Sequence, residues 1–468
     1  MKEINPEFSL ILRKIEDYLA NIESYPVKST LSPGKVLEQL PEAPPEAEEL
    51  FEQVMTDFDK IILPGMTHWQ SPSFFAYFPA NSSLPSLLAE MLTAALGAQC
   101  MSWETSPAAT ELEERMMEWL RQMTGLPQQF TGVIQDTASS ATLTALITAR
   151  ERATKWQINQ KGFSHNRFRI YCSSEAHSSV DKAVRIAGFG VENLVKVPVD
   201  NGYRMDVVHL QRIIEKDLKN GFVPLAIVAT LGTTGTTSID PLREIAHVAD
   251  RYNLWLHVDA AFAGSALILE EYRWMIQGIE RVDSFVFNPH KWLFTNFDCS
   301  AYFVRDRNSL IKTFGINPEY LKTAPDKQVN NYRDWGIPLG RRFRALKLWF
   351  VIRMFGVSGL QNKIRQHIRH AMWVEDQIRH HPGFELMAPR TMSLVCFRYH
   401  PEKTDNPERL NEINQRLLRA LNESGKVYLS HTLLKGNYTL RMVTAQTNVE
   451  RHHVEKAWKI ISETAAAL

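Results

Sequence analysis

The chain has 468 residues, of which 44% are hydrophobic and 22% charged, an ordinary globular composition that excludes a wholly disordered protein. Lys and Arg (53) nearly cancel Asp and Glu (52), leaving a net charge of +1, so no global basic field exists to hold nucleic acid or an anionic membrane. Four scattered cysteines without a CxxC pair argue against a disulfide framework or a zinc knuckle and predict a reducing, cytoplasmic setting.

At the N-terminus Lys2, Glu3 and Glu7 precede no apolar run, so no secretory signal is expected. Phe8, Ile11, Ile15, Tyr18, Leu19 and Ile22 recur at helical spacing and predict an amphipathic helix. It has no core of its own, which makes a partner subunit a candidate for covering it. Prolines and Gly34 across Ser32–Pro45 predict an extended connector, and Ala47–Ile62 a second helix. Thr67–Ala89 is uncharged but carries Pro72, Pro79 and Pro85, and reads as loop-rich instead of membrane-spanning.

From about residue 84 the pattern alternates. Phe168–Cys172, Leu225–Thr230, Leu254–Val258, Ser284–Phe287 and Ala301–Val304 read as strands, with helices Ser179–Ala187, Val207–Lys219 and Pro241–Tyr252 between them. Alternation of this kind predicts an α/β fold with a mostly parallel sheet, whose ligands sit beyond the carboxyl ends of the strands. Arg341–His370 reads as a long helix. Short strands near Leu394–Arg398 and Tyr438–Thr444 and a last helix, Arg451–Ala467, predict a small C-terminal α+β domain. The expected division is 1–83, an N-terminal helical segment; 84–347, a large domain; and 348–468, a small domain. His367, His370, His380 and His381 lack a partner at metal-ligand spacing and read as solvated helix-face residues, so no metal site is expected.

Four strand ends carry candidate chemistry. Phe285–Phe287 is followed by Asn288-Pro289-His290-Lys291-Trp292. A lysine after a strand is usually a surface residue. Here Phe287 and Trp292 flank it, and desolvation lowers a lysine pKa and makes its amine nucleophilic, so Lys291 is a Schiff-base candidate. Asp259 ends the strand before Ala260 and Ala261; it reads equally as a helix cap or as a carboxylate for a protonated pyridine nitrogen, with small neighbours that admit a flat ring. His177, after Ser173-Ser174-Glu175-Ala176, reads as a hydrogen-bonded surface histidine or as a ring lying face-on against a planar cofactor. Thr137, Ala138 and Ser139 open an apolar helix, where capping and phosphate binding are both natural. Leu231-Gly232-Thr233-Thr234-Gly235 lacks the spacing of a Walker or dinucleotide motif.

Taken together, Asn288–Trp292, Val258–Ala261 and Ala176–Ser179 resemble the group II pyridoxal-phosphate decarboxylases, in the aromatic-L-amino-acid decarboxylase branch that includes DOPA, tryptophan and tyrosine decarboxylases. The likeness extends from Phe74–Pro79 through Ser102-Trp103, Thr110–Glu113 and Ile337–Phe343 to Val395–Arg398. It implies the fold type I architecture, pyridoxal 5'-phosphate as cofactor, and an obligate homodimer with the active site at the interface, the N-terminal segment embracing the partner. It also implies roles by position. Lys291 would hold the cofactor as a Schiff base, Asp259 would pair with its ring nitrogen, and His177 would stack on the ring. Thr137, Ala138, Ser139, Asn288 and His290 would surround the phosphate, with Thr234 near the substrate. Tyr320 matches a loop tyrosine that delivers the proton to Cα after CO2 is lost, within a polar lid of about Phe314–Trp335. Relatives with Phe at that position tend to be aldehyde synthases, so Tyr320 favours simple decarboxylation.

The resemblance also outlines a substrate wall of Trp69, Tyr77, Phe78 and Pro79. Ala80 stands where the animal DOPA enzyme has threonine, Met101 where an aromatic residue of the other subunit is expected, and Gln99 where an aliphatic one is. Gly340 matches a position where glycine accompanies indoles and serine phenols among plant relatives. A tryptophan-type substrate is the expectation, with phenylalanine, tyrosine and DOPA open. The alternatives are a pyridoxal-phosphate aldehyde synthase or another group II amino-acid decarboxylase.

Overall fold

The structure, a computed structural model, describes residues 5–164, 167–316, 328–402 and 404–468. They form two compact units. The larger holds Phe78–Arg369 and Ala388–Leu394; the smaller holds the chain up to Tyr77 with His370–Met387 and Val395–Leu468.

The larger unit is built on seven strands: β1 (Thr131–Gln135), β2 (Phe168–Ser173), β3 (Leu194–Val197), β4 (Val223–Thr230), β5 (Trp255–Asp259), β6 (Ser284–Phe287) and β7 (Ser300–Val304). Their order is β1-β7-β6-β5-β4-β2-β3. Strand β7 runs antiparallel to both neighbours, and the other pairs are parallel. Six strands therefore deliver their carboxyl ends to one edge. The five expected strands all form. β1 and β3 fall outside the expectation: β1 carries Gly132, which weakens its propensity, and β3 is a four-residue edge strand. Gly132 is required by packing, because a Cβ there would lie 2.2 Å from Met117 Cε.

The sheet is buried under the helix Ala138–Ala153, whose Ala141, Ala145, Leu146 and Ala149 meet Ile170, Cys172, Ala226, Val228 and Val286. Small residues let helix and sheet approach closely, and full burial of each aliphatic side chain contributes about 1.5–3 kcal/mol. The tail of the expected loop at Thr67–Ala89 is helical instead: a helix spans Leu84–Leu96, with Pro85 in its first turn, where a missing N–H costs nothing. The long helix runs Arg344–His380 and breaks its φ/ψ at Gly356 (φ 65°, ψ 165°). His367 and His370 on it are buried, which corrects their reading as solvated. His367 Nδ1 accepts the Trp292 Nε1–H at 3.0 Å, a partner from a distant strand end that helical spacing cannot reveal.

In the smaller unit, β8 (Phe384–Leu386), β9 (Leu394–Tyr399), β10 (Ser430–Leu434) and β11 (Asn437–Val443) form a sheet of order β10-β11-β9-β8. Its core joins Val395, Phe397, Leu440 and Met442 to Leu417 and Leu421 of the helix Pro407–Glu423 and Trp458 and Ile461 of the helix Arg451–Ala466. The N-terminal helix spans Pro6–Ala20, started by Asn5, whose side chain accepts the Glu7 N–H. None of its residues is buried, and Phe8 is 65% exposed. The expected second helix is shorter, an α-helix at Phe51–Asp57 followed by a π-helical turn over Phe58–Ile62. Among the described residues no helix is long and apolar enough to cross a membrane.

Candidate active site

A cavity of about 180 Å3 opens at the carboxyl edge of the large sheet. Its lining draws on the ends of β2, β4, β5 and β6 and on the first turn of the helix Ala138–Ala153.

Lys291 follows β6. Asn288 ends the strand, Pro289 starts a short helical turn, and the chain presents the lysine to the cavity. Asn81 holds this turn: its N–H donates to His290 O at 3.0 Å and its Nδ2 to Lys291 O at 2.7 Å. Asn81 is completely buried, and sequence alone gave no signal for it beyond a polar residue after Pro79. Burial lowers the Lys291 pKa, with the Asp259 charge opposing that shift. The ring facing the amine is Phe78, 5.7 Å from Nζ, not the expected Phe287 or Trp292. Trp292 is instead the buried end of a column in which Phe78 stacks on Phe262 and Phe262 stacks on Trp292 at 4.5 Å.

Asp259 ends β5 and is 5% exposed. Its Oδ1 accepts the Ala261 N–H at 3.0 Å, which orients the carboxylate toward the cavity. His177 follows β2, lies in the lining and is exposed. Its Nδ1 accepts the Ser179 N–H at 3.1 Å, so the ring plane is fixed from its rear edge. Burial lowers its pKa, the Asp259 charge raises it and the Lys291 charge lowers it, which couples the three groups electrostatically.

The same lining is rich in donors. Thr137 caps the helix Ala138–Ala153 and accepts from Ser140 N, leaving the first-turn N–H groups of Ala138 and Ser139 at the cavity. Asn288 Oδ1 accepts from the Ser300 hydroxyl, so its amide offers Nδ2–H. His290 Nδ1 accepts the Cys299 N–H at 2.9 Å, which places the ring proton on Nε2. Burial pushes its pKa down to about 3, so it stays neutral. Gly232, at φ 85°, turns the chain after β4, and a Cβ there would lie 2.8 Å from Ala263 Cβ. Thr234 follows at the rim. The Thr230 hydroxyl is buried at the same lining without a partner.

The expected substrate residues divide. Phe78 lines the lysine cavity, while Pro79 and Ala80 do not. Trp69 and Tyr77 belong to the smaller unit, with ring centroids 5.9 Å apart. There Tyr428, missed in the sequence, stands edge-on to Tyr77 at 6.0 Å, its hydroxyl pushed up to about 12 by burial and by Tyr77. Gly340 lines a second cavity of about 300 Å3 with Gln135, Asp136, Ser140, Tyr332, Trp335 and Arg341. Met101 joins that neighbourhood through its carbonyl, which accepts Arg333 N–H at 2.9 Å. Within one chain, then, Gly340 and Lys291 line different cavities, both of which draw on the first turn of the helix Ala138–Ala153. Tyr320 lies outside the described residues.

An amine whose pKa burial lowers, a carboxylate and an imidazole in one lining, together with N–H and O–H donors and an orphaned hydroxyl, suit a planar aldehyde that carries a basic ring nitrogen and a phosphate. Pyridoxal phosphate has that chemistry, and the residues present accommodate it. Residues 33–400 match the pyridoxal-dependent decarboxylase conserved domain, and the chain belongs to that family. Over 98% of its length it is 44% identical to a phenylacetaldehyde synthase of Arabidopsis thaliana, covering 95% of that protein. Over 96% it is 43% identical to tryptophan decarboxylase 2 of Oryza sativa subsp. japonica, covering 92%. The crystal structure of Oryza sativa TDC with PLP and tryptamine superposes with a TM-score of 0.96 at 36% identity, over 100% of this chain and 99% of that one. The expected fold type I architecture and the resemblance to the aromatic branch are borne out.

Proposed function

We propose that this chain is a pyridoxal-phosphate-dependent carboxy-lyase that converts an aromatic L-amino acid to its arylalkylamine and CO2. The observation that carries the reading is the Lys291 amine, pKa lowered by burial, sharing one aromatic-walled cavity with Asp259. When bound, pyridoxal phosphate supplies an electrophilic carbonyl carbon and a cationic ring that accepts the electron pair freed as CO2 leaves. Burial favours the neutral form of the Lys291 amine, the form that would attack that carbon. Asp259, with Oδ1 engaged by Ala261 N–H, keeps a proton on the ring nitrogen. His177 offers its face to the ring from a plane fixed by Ser179. Thr137, Ala138, Ser139, Asn288 and His290 bind the phosphate through N–H and O–H donors, aided by the helix dipole. Phe78 and Phe262 exclude water from the amine. Tyr320 delivers a proton to the substrate Cα after CO2 is lost.

An absorbance spectrum tests the cofactor assignment. A visible band that borohydride bleaches and Lys291→Ala abolishes supports it; a colourless protein that binds no pyridoxal phosphate sinks it. Following CO2 release across tryptophan, phenylalanine, tyrosine and DOPA then ranks the substrates, with tryptophan-type substrates favoured by Gly340. The aldehyde-synthase reading is favoured by two relatives named phenylacetaldehyde synthase and by a structural neighbour named 4-hydroxyphenylacetaldehyde synthase. Aldehyde and peroxide in place of amine identify it, and Tyr320→Phe is expected to move the product from amine toward aldehyde.

A homodimer with the active site at the interface is part of this reading, and two exposed apolar faces support the association. Phe8, Leu12 and Leu19 are exposed on the helix Pro6–Ala20. Leu84, Leu88, Leu92 and Leu96 are exposed at four-residue intervals on the helix Leu84–Leu96. Residues 1–83 would embrace the partner, while 84–347 hold the cofactor and 348–468 close the chain. Light scattering at low concentration checks the oligomer: a stable monomer rejects it. The four buried free thiols support a cytoplasmic setting, which cell fractionation tests.

A further inference from the structure

Behind the cavity lies a buried polar chain that the mechanism does not use. His257, Thr142 and Ser284 are all completely buried, and Trp255 nearly so. His257 Nδ1 bonds Ser284 Oγ at 2.9 Å, and its Nε2 bonds Thr142 Oγ1 at 3.3 Å. Trp255 Nε1 donates to the same Ser284 Oγ at 3.0 Å. Ser284 is the in-register neighbour of His257 across β5 and β6. Thr142 stands on the helix Ala138–Ala153, little more than one turn beyond the donors of Thr137–Ser139. His257 and Asp259, two apart on one strand, point to the same face of the sheet. One imidazole thus links the strand that ends in Asp259 to the helix that opens at the donor wall.

Around Thr142 that helix meets the sheet through alanine and leucine side chains; its other directional ties are Gln135 Nε2 of β1, which donates to Thr144 Oγ1 at 3.4 Å, and Arg152 at its far end, which pairs with Asp283 at 2.8 Å and stands over the Trp255 ring at 4.4 Å. The apolar contacts are non-directional and tolerate sliding, and neither polar tie lies between His257 and the first turn of the helix on β5. A buried imidazole is costly unless both nitrogens are bonded, and here both are. We propose that His257 is a positioning residue that fixes the register between β5 and the helix Ala138–Ala153, and thereby the span from Asp259 to the donors of Thr137–Ser139. The inference rests on the reading of those two places as the ring-nitrogen and phosphate ends of bound pyridoxal phosphate.

Full-length apoprotein and holoenzyme of Thr142→Val, His257→Phe and His257→Gln test it. Three quantities are read: the dissociation constant for pyridoxal phosphate, the visible circular dichroism of the bound chromophore, and the apoprotein melting temperature. Losing one directional bond is expected to weaken cofactor binding about tenfold in Thr142→Val and His257→Phe and to change the dichroic band. His257→Gln, which keeps a donor and an acceptor, restores most of both. A purely structural histidine would lower the melting temperature while leaving affinity and dichroism unchanged, and that result overturns the proposal. If His257→Phe fails to fold, Thr142→Val, which deletes one hydroxyl at constant volume, decides alone. A wild-type protein that binds no pyridoxal phosphate would instead reject the underlying assignment, so the two failures are distinct.

Discussion

The rings of Phe78 and Phe262 lie 3.9 Å apart and 5° from parallel. Phe78 is also the ring that stands over the Lys291 amine. The stack therefore holds the desolvating wall of the lysine rigidly in place. Phe262→Ala is expected to admit water and raise the Lys291 pKa toward its free value. Since only the neutral amine captures an aldehyde, each unit of rise cuts the reactive fraction about tenfold where the amine is mostly protonated. Apoprotein mixed with pyridoxal phosphate should develop its visible band more slowly near neutrality and recover at alkaline pH. A capture profile unmoved along the pH axis would show that the stack does not tune the lysine.

Buried neutral histidines make the protein acid-sensitive. Burial lowers His257 from 6.5 to about 4 and His290 to about 3. The unfolded chain takes up these protons near 6.5 while the folded chain refuses them. The unfolded state then binds more protons, so stability rises with pH through this window and is lost as pH falls below about 6.5. Replacing His257 with Gln removes about one proton, or about 1.4 kcal/mol per pH unit, from that slope. Urea midpoints measured from pH 6.5 down to 4.5 check the number, and an unchanged slope refutes the assignment.

Glu113 and Arg341 form a buried ion pair at 2.6 Å. Glu113 Oε1 also accepts the Ile134 N–H, and Arg341 Nη2 donates to Ile134 O. The pair ties β1 to the helix Pro107–Thr124 just before the chain reaches Thr137. Glu113→Ala strands a buried guanidinium and is expected to destabilise by about 3–5 kcal/mol in denaturant unfolding. A loss below about 1 kcal/mol would mean that the arginine finds another partner or water.

Gly340 tests the substrate expectation with little structural risk. A Cβ at this position would lie 3.3 Å from Gln99 Nε2, the far end of a flexible side chain. Gly340→Ser is therefore expected to change stability by no more than about 0.5 kcal/mol. Its effect should appear in kcat/KM, lowering the ratio for indole over phenol substrates. An unchanged ratio would remove Gly340 from the specificity set.

The order of strands and helices, the lysine turn after β6 and the acidic end of β5 were legible because each is local: a run of apolar residues, a proline, a charged residue at a strand exit. β1, β3, β8 and β10 were not, since short strands or a glycine-bearing strand gain their stability from neighbours distant in the chain. Asn81, His257 and Tyr428 were invisible for a related reason. Asn81 holds Lys291 from 210 positions away, and His257 reaches Thr142 across 115. Sequence by itself determined which side chains could carry chemistry, because the identity of an amine, carboxylate or imidazole travels with the residue. Only the tertiary structure decided which of them share a cavity, which are dry enough to shift their pKa, and that Gly340 and Lys291 line separate cavities within one chain. Burial and distance arise when strands far apart in the chain are packed side by side, and no local pattern encodes them.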